Sequence, residues 1–548
     1  MTSSSPSPNP LDVNFLAALI GGLNENNTKD ARREGQPDKS EEALSRQAII
    51  LDSLANLSIC NQKKQVVAIA VDINGAGAHL YVAENGTVDK RVVPILQDLI
   101  STLKTVKVLA QANPNIDLGR SPAQRSVWDH IFAINGEPEP AQLELTKLES
   151  RLVKHSWYKI KRRLQKRYDT FITFMEEVRG TSPDDLAWDQ DDRDNFVALQ
   201  SGAHQKRLDF IHSVVVAMQE TFTEGPPTEG GGGVILALIQ ELHSEFKKLL
   251  DHEKKCLFPH PFFIACEAYL ALRGKEQRLS MKRWLTKLVA VHVHFLLVVN
   301  LVGSITLAPF LDNVKISIVP PSTSDLEIKV DYERLQDVVR AGRWKRRPDP
   351  PKSSTEEEDP AVSLLPNDPL RVFLGELDQR LPRPPNTKQS TAAVPTSSPP
   401  DVVARTYKDS KVHCECSLIA YLHKRSITPI PYIGVSKLSC YLCNAYISAH
   451  SQSTSFPVTT LGCHSQVAAS WICPPTASDD VKERLTKVIL DKLARHLSKI
   501  DNELQEARLW ARKASQSTVG SSDGENEKEA SADHRSMLIT SVATSAVC

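Results

Sequence analysis

The sequence predicts an α/β protein in which a mainly helical region precedes a C-terminal α/β domain. Two β-rich runs, QVVAIAVDING and AHLYVAENG, flank the turn residues Asn74 and Gly75 and predict a hairpin. Apolar residues then recur at helical spacing through most of residues 142–302, which predicts a helical domain. Residues 411–450 follow the order helix, short strand, helix, and this change of pattern indicates a separate C-terminal domain.

Length and composition limit the class of protein. With 548 residues the chain exceeds what one hydrophobic core serves, so two or three domains with linkers are expected. The 66 Lys and Arg residues balance the 66 Asp and Glu residues, which excludes a global field that attracts nucleic acid or acidic lipid. Six of the ten cysteines lie between Cys414 and Cys473, a cluster suited to metal rather than to disulfides. We therefore expect a reducing, intracellular location, cytoplasmic or nuclear.

The first part of the chain divides into a tail and a helical region. Residues 1–40 are rich in Ser, Pro, Asn and charge without a sustained period, so a disordered tail is expected. The short apolar piece from Phe15 to Ile20 lacks the length and basic flank of a secretion signal. Residues 41–305 form the predicted helical region, with a small hairpin near its start and a helix resuming at Val92.

One apolar segment, Leu288 to Val302, could be mistaken for a membrane span. It is shorter than the roughly 20 residues that a span needs, and it carries His292, His294 and Asn300. We interpret it as a core helix with hydrogen-bonded histidines, and we expect no membrane association.

A second segment, Arg151 to Tyr168, concentrates basic residues with Trp157 and Tyr158 among them. This combination is typical of a nucleic-acid surface. It is also typical of a solvated helix face whose aromatic rings pack inward. The acidic stretch from Asp184 to Asp194 follows and could neutralise it.

The second half of the chain begins with strand signals. Residues 306–341 contain two β-type runs, Asn313 to Val319 and Leu326 to Val330, which predict a second hairpin and the first strands of the C-terminal domain. Residues 342–401 form a low-complexity insert or linker in which Arg343 to Arg347 could serve nuclear import. Residues 402–514 contain the C-terminal domain and a long amphipathic helix, and residues 515–548 form a second predicted disordered tail.

Candidate metal ligands stand at the starts of two predicted helices in this domain. His413 opens the first helix, and Ser439 predicts the N-cap of the second, which puts Cys440 and Cys443 on one face of its first turn. Catalytic zinc takes three N or S ligands and keeps one position open for water, which this set supplies if the helix starts converge. Glu415 is then placed near the metal without being a ligand, so it can move a proton between water and a leaving amine.

These residues resemble a known family. The run HCE, a helix, a short strand and SCYLC are similar to the active site of the cytidine and nucleic-acid deaminase superfamily. The phrase PYIGVSKLSCYLC, the turn from Leu461 to His464, Trp471 and Pro474 look most like a deaminase-like family found in fungi. The resemblance covers roughly residues 402–475.

The resemblance implies a three-layer α/β/α deaminase-like domain, with Zn²⁺ held by His413, Cys440 and Cys443, and Glu415 as proton shuttle. It implies a zinc-dependent hydrolytic deaminase that acts on a nucleobase, free, in a nucleoside or in nucleic acid. Two positions differ from the usual pattern: Cys414 stands where a small apolar residue is common, and Ser439 where a proline is common.

Alternatives remain open from the residues alone. Cys414 or Cys416 could complete a four-ligand structural zinc site, and the domain would then be an inactive deaminase-like module in an interaction protein. Cys440 and Cys443 could instead be a redox pair. His464 could contact substrate or be an exposed loop histidine, and the sequence identifies no protein partner.

Overall fold

The computed structural model describes residues 12–21, 42–60, 65–74, 77–113, 131, 139–182, 189–200, 202–225, 232–255, 261–272, 279–303, 311–342, 344, 368–381, 402–464, 466–468 and 470–518. The chain forms two compact units. The N-terminal unit comprises Pro37–Pro320 together with the six residues Tyr432–Lys437, and the C-terminal unit comprises the remainder. The short strand predicted near Tyr432 therefore belongs with the first part of the chain.

The N-terminal unit contains a four-stranded sheet of order β3-β2-β1-β6. Strands β1 (Val67–Asn74) and β2 (Gly77–Glu84) pair antiparallel, which confirms the predicted hairpin. Strand β3 (Val314–Ile318) lies parallel to β2, and the two-residue strand β6 (Gly434–Val435) lies antiparallel to β1. Strand β1 is thus central, and its first five residues are buried, as expected for a β-branched and apolar run.

Helix α2 (Glu42–Leu57) packs against β1 and β6. Its approach to β6 is close because residue 434 is a glycine. A Cβ atom at Gly434 would lie 2.3 Å from the carbonyl carbon of Leu51 and 2.5 Å from its Cβ. The absence of a side chain at this position allows the strand to lie directly on the helix backbone.

The rest of the N-terminal unit is helical, which confirms the predicted mainly helical region and, with the sheets, the α/β class. Its further helices are α3 (Val92–Ala112), α4 (Pro140–His155), α5 (Trp157–Gln165), α6 (Tyr168–Gly180), α7 (Gln190–Gln200), α8 (Gly202–Thr223), α9 (Gly232–Lys254), α10 (Phe262–Leu272), α11 (Met281–Leu288) and α12 (Ala290–Val299).

The apolar segment from Leu288 to Val302 lies mostly in helix α12 and packs inside this unit, with Val291, Phe295 and Val298 buried. His294 contacts the hydroxyl of Ser53 through Nδ1 at 3.1 Å. Among the described helices none is by itself long and apolar enough to cross a membrane. One pair, Met281–Leu288 with Ala290–Gly303, passes that test together across a bend of 58°.

The C-terminal unit is built around a long helix and a two-stranded ladder. Strands β4 (Thr323–Asp331) and β5 (Val402–Lys411) pair antiparallel. Helix α17 (Asp479–Thr518) packs against most of the other helices of this unit. These are α1 (Val13–Leu19), α13 (Tyr332–Ala341), α14 (Pro369–Arg380) and α16 (Tyr441–Ser453), and α15 (Cys414–Lys424) packs on α16.

Three expectations are wrong. The second hairpin does not form, because β3 and β4 join different sheets. Pro320 and Pro321 do end the first strand, but strand propensity does not specify which strand each one pairs with. Pro457 to Leu461 makes no regular strand among the described residues. Within the predicted tail, Val13–Leu19 forms a helix, because Phe15 and its apolar neighbours are buried against other elements of the C-terminal unit.

Several other predictions concern residues outside the described part of the chain. They are the rest of the 1–40 tail apart from residues 12–21, most of the 342–401 insert with its basic cluster, and residues 519–548 of the second tail.

Candidate metal centre

The candidate centre is formed by two helix starts in the C-terminal unit. His413 is the N-cap of α15, and Cys440 is the N-cap of α16. The Cys440 sulfur accepts the backbone N–H of Cys443 at 3.4 Å. Ser439, predicted as this cap, lies one residue earlier, so its hydroxyl is available for another contact. His413 and the Cys440–Cys443 pair therefore stand where backbone N–H groups favour negative charge.

The three predicted ligands come together. Nδ1 of His413 lies 3.6 Å from Sγ of Cys440 and 3.2 Å from Sγ of Cys443, and the two sulfurs are 3.4 Å apart. With zinc–sulfur and zinc–nitrogen bonds of about 2.3 and 2.05 Å, a tetrahedral site separates two sulfurs by about 3.8 Å and sulfur from nitrogen by about 3.6 Å. The observed triangle matches those separations to within about 0.4 Å, so the three residues fit a zinc ion.

Burial and charge are consistent with a cation here. Cys440 and Cys443 are buried. The neighbouring Cys443 thiol and burial raise the pKa of Cys440, and burial raises the pKa of Cys443. The two thiols therefore become thiolate ligands where a bound cation compensates their charge.

Glu415 lies beside this triangle but outside it. It is only 3 % exposed, and its Oε2 lies 3.9 Å from the Cys443 sulfur. The Ser439 hydroxyl donates to Oε1 at 3.3 Å, and the Cys414 thiol donates to Oε2 at 3.4 Å. The two positions that differ from the usual deaminase pattern thus both contact this carboxylate.

The loop after α16 completes the surroundings of Ser439. Its hydroxyl lies 3.4 Å from that of Thr460, and its backbone N–H donates to the Gly462 carbonyl at 3.1 Å. The backbone N–H of His464 donates in turn to the Ser439 carbonyl at 2.9 Å. Gly462 has φ +131°, a backbone conformation that favours glycine.

His464 is thereby held at the site. Burial lowers the pKa of His464, and the charge of Glu415 offsets only part of that fall. Its Nδ1 is buried without a hydrogen-bond partner among the described residues. The residue is half-buried, so the expectation of an exposed loop histidine does not describe it.

The proposed fourth ligands take other positions. The group of ligand atoms within 4.8 Å of one another consists of His413, Cys440 and Cys443 among the described residues. Neither Cys414 nor Cys416 belongs to it, although both are buried. The Cys443 thiol donates a hydrogen bond to the Cys416 sulfur, and burial raises the pKa of Cys416 to about 11.

Sequence reasoning missed one residue of the site, Thr460, and one long-range contact within the N-terminal unit, that of Asp52. Thr460 lies in a segment read as a strand, and nothing in its surroundings marks it as a partner of Ser439. Asp52 in α2 accepts the Tyr432 hydroxyl at 2.7 Å and the Val435 N–H at 2.8 Å, and so anchors the strand that precedes Cys440 by five residues. It looks like an ordinary polar position of an amphipathic helix.

Comparison with known proteins supports the deaminase resemblance over this segment. Residues 412–475 match the family model described as an OTT_1508-like deaminase. The matched segment contains the three candidate ligands, Glu415 and His464. No curated protein and no solved structure matches the chain significantly. The chain thus contains a deaminase-like domain with a His/Cys/Cys group compatible with zinc, and the narrower resemblance to fungal proteins stays a prediction.

Proposed function

We propose that this protein is a zinc-dependent hydrolase that deaminates a nucleobase. The observation that carries the proposal is the buried carboxylate of Glu415, which lies beside a three-ligand group and outside it. A closed structural site needs four protein ligands, whereas three ligands leave one position for a reactant. A carboxylate next to that position is the arrangement that hydrolytic deamination uses.

Each residue has a distinct role in the proposed reaction. His413, Cys440 and Cys443 hold the metal. Zinc, when bound, supplies Lewis-acid activation of water. Glu415 accepts a proton from that water at a carboxylate oxygen and delivers it to the exocyclic nitrogen. A carbon–oxygen bond forms at the amidine carbon, the carbon–nitrogen bond breaks, and ammonia leaves.

Ser439 and Cys414 hold the carboxylate for this transfer. With one donor on each oxygen, Glu415 has a fixed orientation, and general acid–base catalysis depends on such positioning. His464 is proposed as a substrate contact, because its Nδ1 is buried without a described partner. Its ring also lies close enough to Glu415 for that charge to raise its pKa.

A second candidate function has one specific observation in its favour. The Cys416 thiol contacts the Cys443 sulfur, so a small rotation could bring a third sulfur to the metal. A site with four protein ligands would be structural, and the domain would then be an inactive module in an interaction protein.

Eight described cysteines are free thiols, which supports a reducing intracellular location for either function.

Metal analysis and X-ray absorption on the purified protein separate these candidates. We expect one zinc per chain with two sulfur and two nitrogen or oxygen neighbours, and an unchanged spectrum in Cys416→Ala. Three sulfur neighbours, reduced to two in Cys416→Ala, would support the structural module. Absence of zinc with a reversible Cys440–Cys443 disulfide would support the redox alternative.

Turnover tests the role of Glu415. Ammonia release is measured with a panel of free bases, nucleosides and single-stranded oligonucleotides. Glu415→Ala should retain zinc and lose turnover by about 100-fold to 10,000-fold. Cys440→Ala should lose both zinc and turnover. An active Glu415→Ala protein would refute the mechanism.

A further inference from the structure

Two helices of the N-terminal unit carry an unusual concentration of positive charge. Helices α5 and α11 pack together, with the Trp284 indole N–H donating to the Arg163 carbonyl at 3.1 Å. The Arg163 guanidinium in turn donates to the Lys287 carbonyl at 2.8 Å. Trp157, Ile160 and other apolar residues of α5 face the core. The cations of both helices therefore occupy the sides that remain.

Five of these cations define what we call the basic face: Lys159, Arg163, Lys166, Arg283 and Lys287. Besides burial, the charges that most lower the pKa of Lys287 are Arg283, Arg163, Lys166 and the adjacent Arg167. Burial, followed by the charges of Arg163 and Lys437, lowers the pKa of Lys159. The groups are thus close enough to repel one another, and the repulsion would fall if an anion bound between them.

Carboxylates do not balance this face in the described part of the chain. Elsewhere in the unit cations pair with acids, as in Arg151 with Asp98 at 2.8 Å and Lys282 with Glu253 at 3.1 Å. The five residues of the basic face make no such salt bridge to a described acidic side chain. Lys159 instead donates to the backbone carbonyl of Asn56 at 3.1 Å. The acidic stretch near Asp184 that could have neutralised this face lies partly outside the described residues.

Helix dipoles do not account for so many cations. Arg163 and Lys287 lie in the last turns of their helices, where a cation is favoured. Each helix end contributes only about half a negative charge, so two ends offset about one of the five positive charges. Lys159 and Arg163 are occupied by backbone carbonyls, and burial lowers the pKa of each. The charge available to a ligand is therefore that of Lys166, Arg283 and Lys287, which are exposed.

An exposed aromatic residue adjoins the basic residues of α5 in the sequence. Tyr158, next to Lys159 in α5, is 49 % exposed, whereas Trp157 before it is buried. Proteins that bind single strands use aromatic rings on which bases stack, and nearby cations that contact the phosphates on either side.

We infer that the basic face binds the phosphate backbone of a single-stranded nucleic acid, with Tyr158 stacking on a base. The inference rests on the proposed function and specifies it: the nucleobase is presented within a strand rather than as a free base. A single strand suits that function because its bases are already accessible, whereas a duplex has to be opened first.

Salt-dependent binding tests the inference. Fluorescein-labelled 20-nucleotide RNA and DNA of mixed sequence are titrated with the full-length, zinc-loaded protein from 50 to 300 mM salt, and anisotropy gives Kd. A variant combining K166Q, R283Q and K287Q removes three exposed cations. Its slope of log K against log salt should fall by about 2, since each lost phosphate contact contributes about 0.7.

A matched triple variant controls for net charge. K147Q, R179Q and K248Q remove three cations of the same unit that are already paired with carboxylates. We expect wild-type slope and affinity from this protein. Y158A should weaken binding about fivefold or more while leaving the salt slope unchanged. Equal losses of affinity and salt slope in both triple variants, or no binding of RNA or DNA by the wild type, would overturn the inference. A preference for RNA or DNA identifies the kind of strand.

Glu415→Ala separates this inference from the proposed function. It leaves the basic face intact, so it should bind the strand with wild-type affinity while losing turnover. Strand binding by the wild type without ammonia release from any substrate of the panel would refute the proposed function and leave the binding of the strand standing. Turnover of free nucleosides that depends on Glu415, without strand binding, would refute the inference alone.

Discussion

The buried carboxyl of Asp52 should make the protein less stable as pH rises, and replacing it with asparagine should remove that effect. Burial raises the pKa of Asp52 to about 7 from its ordinary value of 3.8, and the hydrogen bonds from Tyr432 and Val435 offset only part of the rise. In the unfolded chain the carboxyl ionises near pH 4. The unfolded state therefore binds fewer protons than the folded state between pH 4 and 7, and stability falls through that window.

The size of the effect follows from the shift. A difference of about three pKa units corresponds to about 4 kcal/mol lost between pH 4 and 8, of which about 2.6 kcal/mol falls between pH 5 and 8. In D52N the amide oxygen can accept the Val435 N–H and the amide nitrogen can donate to the Tyr432 hydroxyl. The variant has no titrating group at this position, but its amide nitrogen cannot accept the proton that the Tyr432 hydroxyl donates in the wild type. D52N should therefore start from a lower stability at pH 5 and lose none of it through this site between pH 5 and 8.

Urea denaturation of both proteins, at half-unit steps from pH 4.5 to 8.5, measures this difference. Other titrating groups, including the metal ligands, are common to both proteins and cancel in the comparison. Y432F is a useful companion, because it removes a donor to the ionised carboxylate and should move the window to higher pH. Wild type and D52N losing stability in parallel from pH 5 to 8 would show that Asp52 does not carry the shift.

Two further predictions concern the packing of β6 on α2 in the N-terminal unit and the Glu415 carboxylate in the C-terminal unit. G434A places a Cβ atom 2.3 Å from the Leu51 backbone, so it should reduce the free energy of unfolding by about 3 kcal/mol. The control G233A, whose Cβ would meet nothing within 4 Å, should be neutral or stabilising in the same urea titration. Equal losses of unfolding free energy in G434A and G233A would contradict the argument from the close approach of β6 to α2. S439A removes a donor to Glu415 and should lower kcat by roughly tenfold with zinc content unchanged; an unaltered kcat would mean that the carboxylate is oriented without it.

Local patterns predicted most of the secondary structure. The hairpin at Val67 and Gly77, the helices of the N-terminal unit and the long helix from Asp479 each follow from periodicity and turn residues close in sequence. The grouping of the three candidate metal ligands was predictable for the same reason, because a cysteine pair three residues apart and a histidine at a helix start carry their chemistry in their spacing.

Partners distant in sequence were not predictable. The strand at Val435 pairs with Ala68, and nothing in either segment specifies the other. Asp52 looks like an ordinary surface position until Tyr432 and Val435 supply its hydrogen bonds. Ser439 was expected as a helix cap, which its residue type favours, but Cys440 takes the cap and the serine hydroxyl turns to Glu415.

The pairing of β1 with β6 has a consequence for how the protein is made. Val67 accepts and donates hydrogen bonds with Ser436, a residue 369 positions later. At about 5 to 20 residues per second, a ribosome needs roughly 20 to 75 seconds to cover that distance. During that interval the β1 edge is unpaired and able to join another nascent chain. Chaperone occupancy of the first 90 residues should therefore persist until residue 436 has emerged. A fragment limited to residues 402–514 lacks β1, so its β6 strand has no partner to pair with.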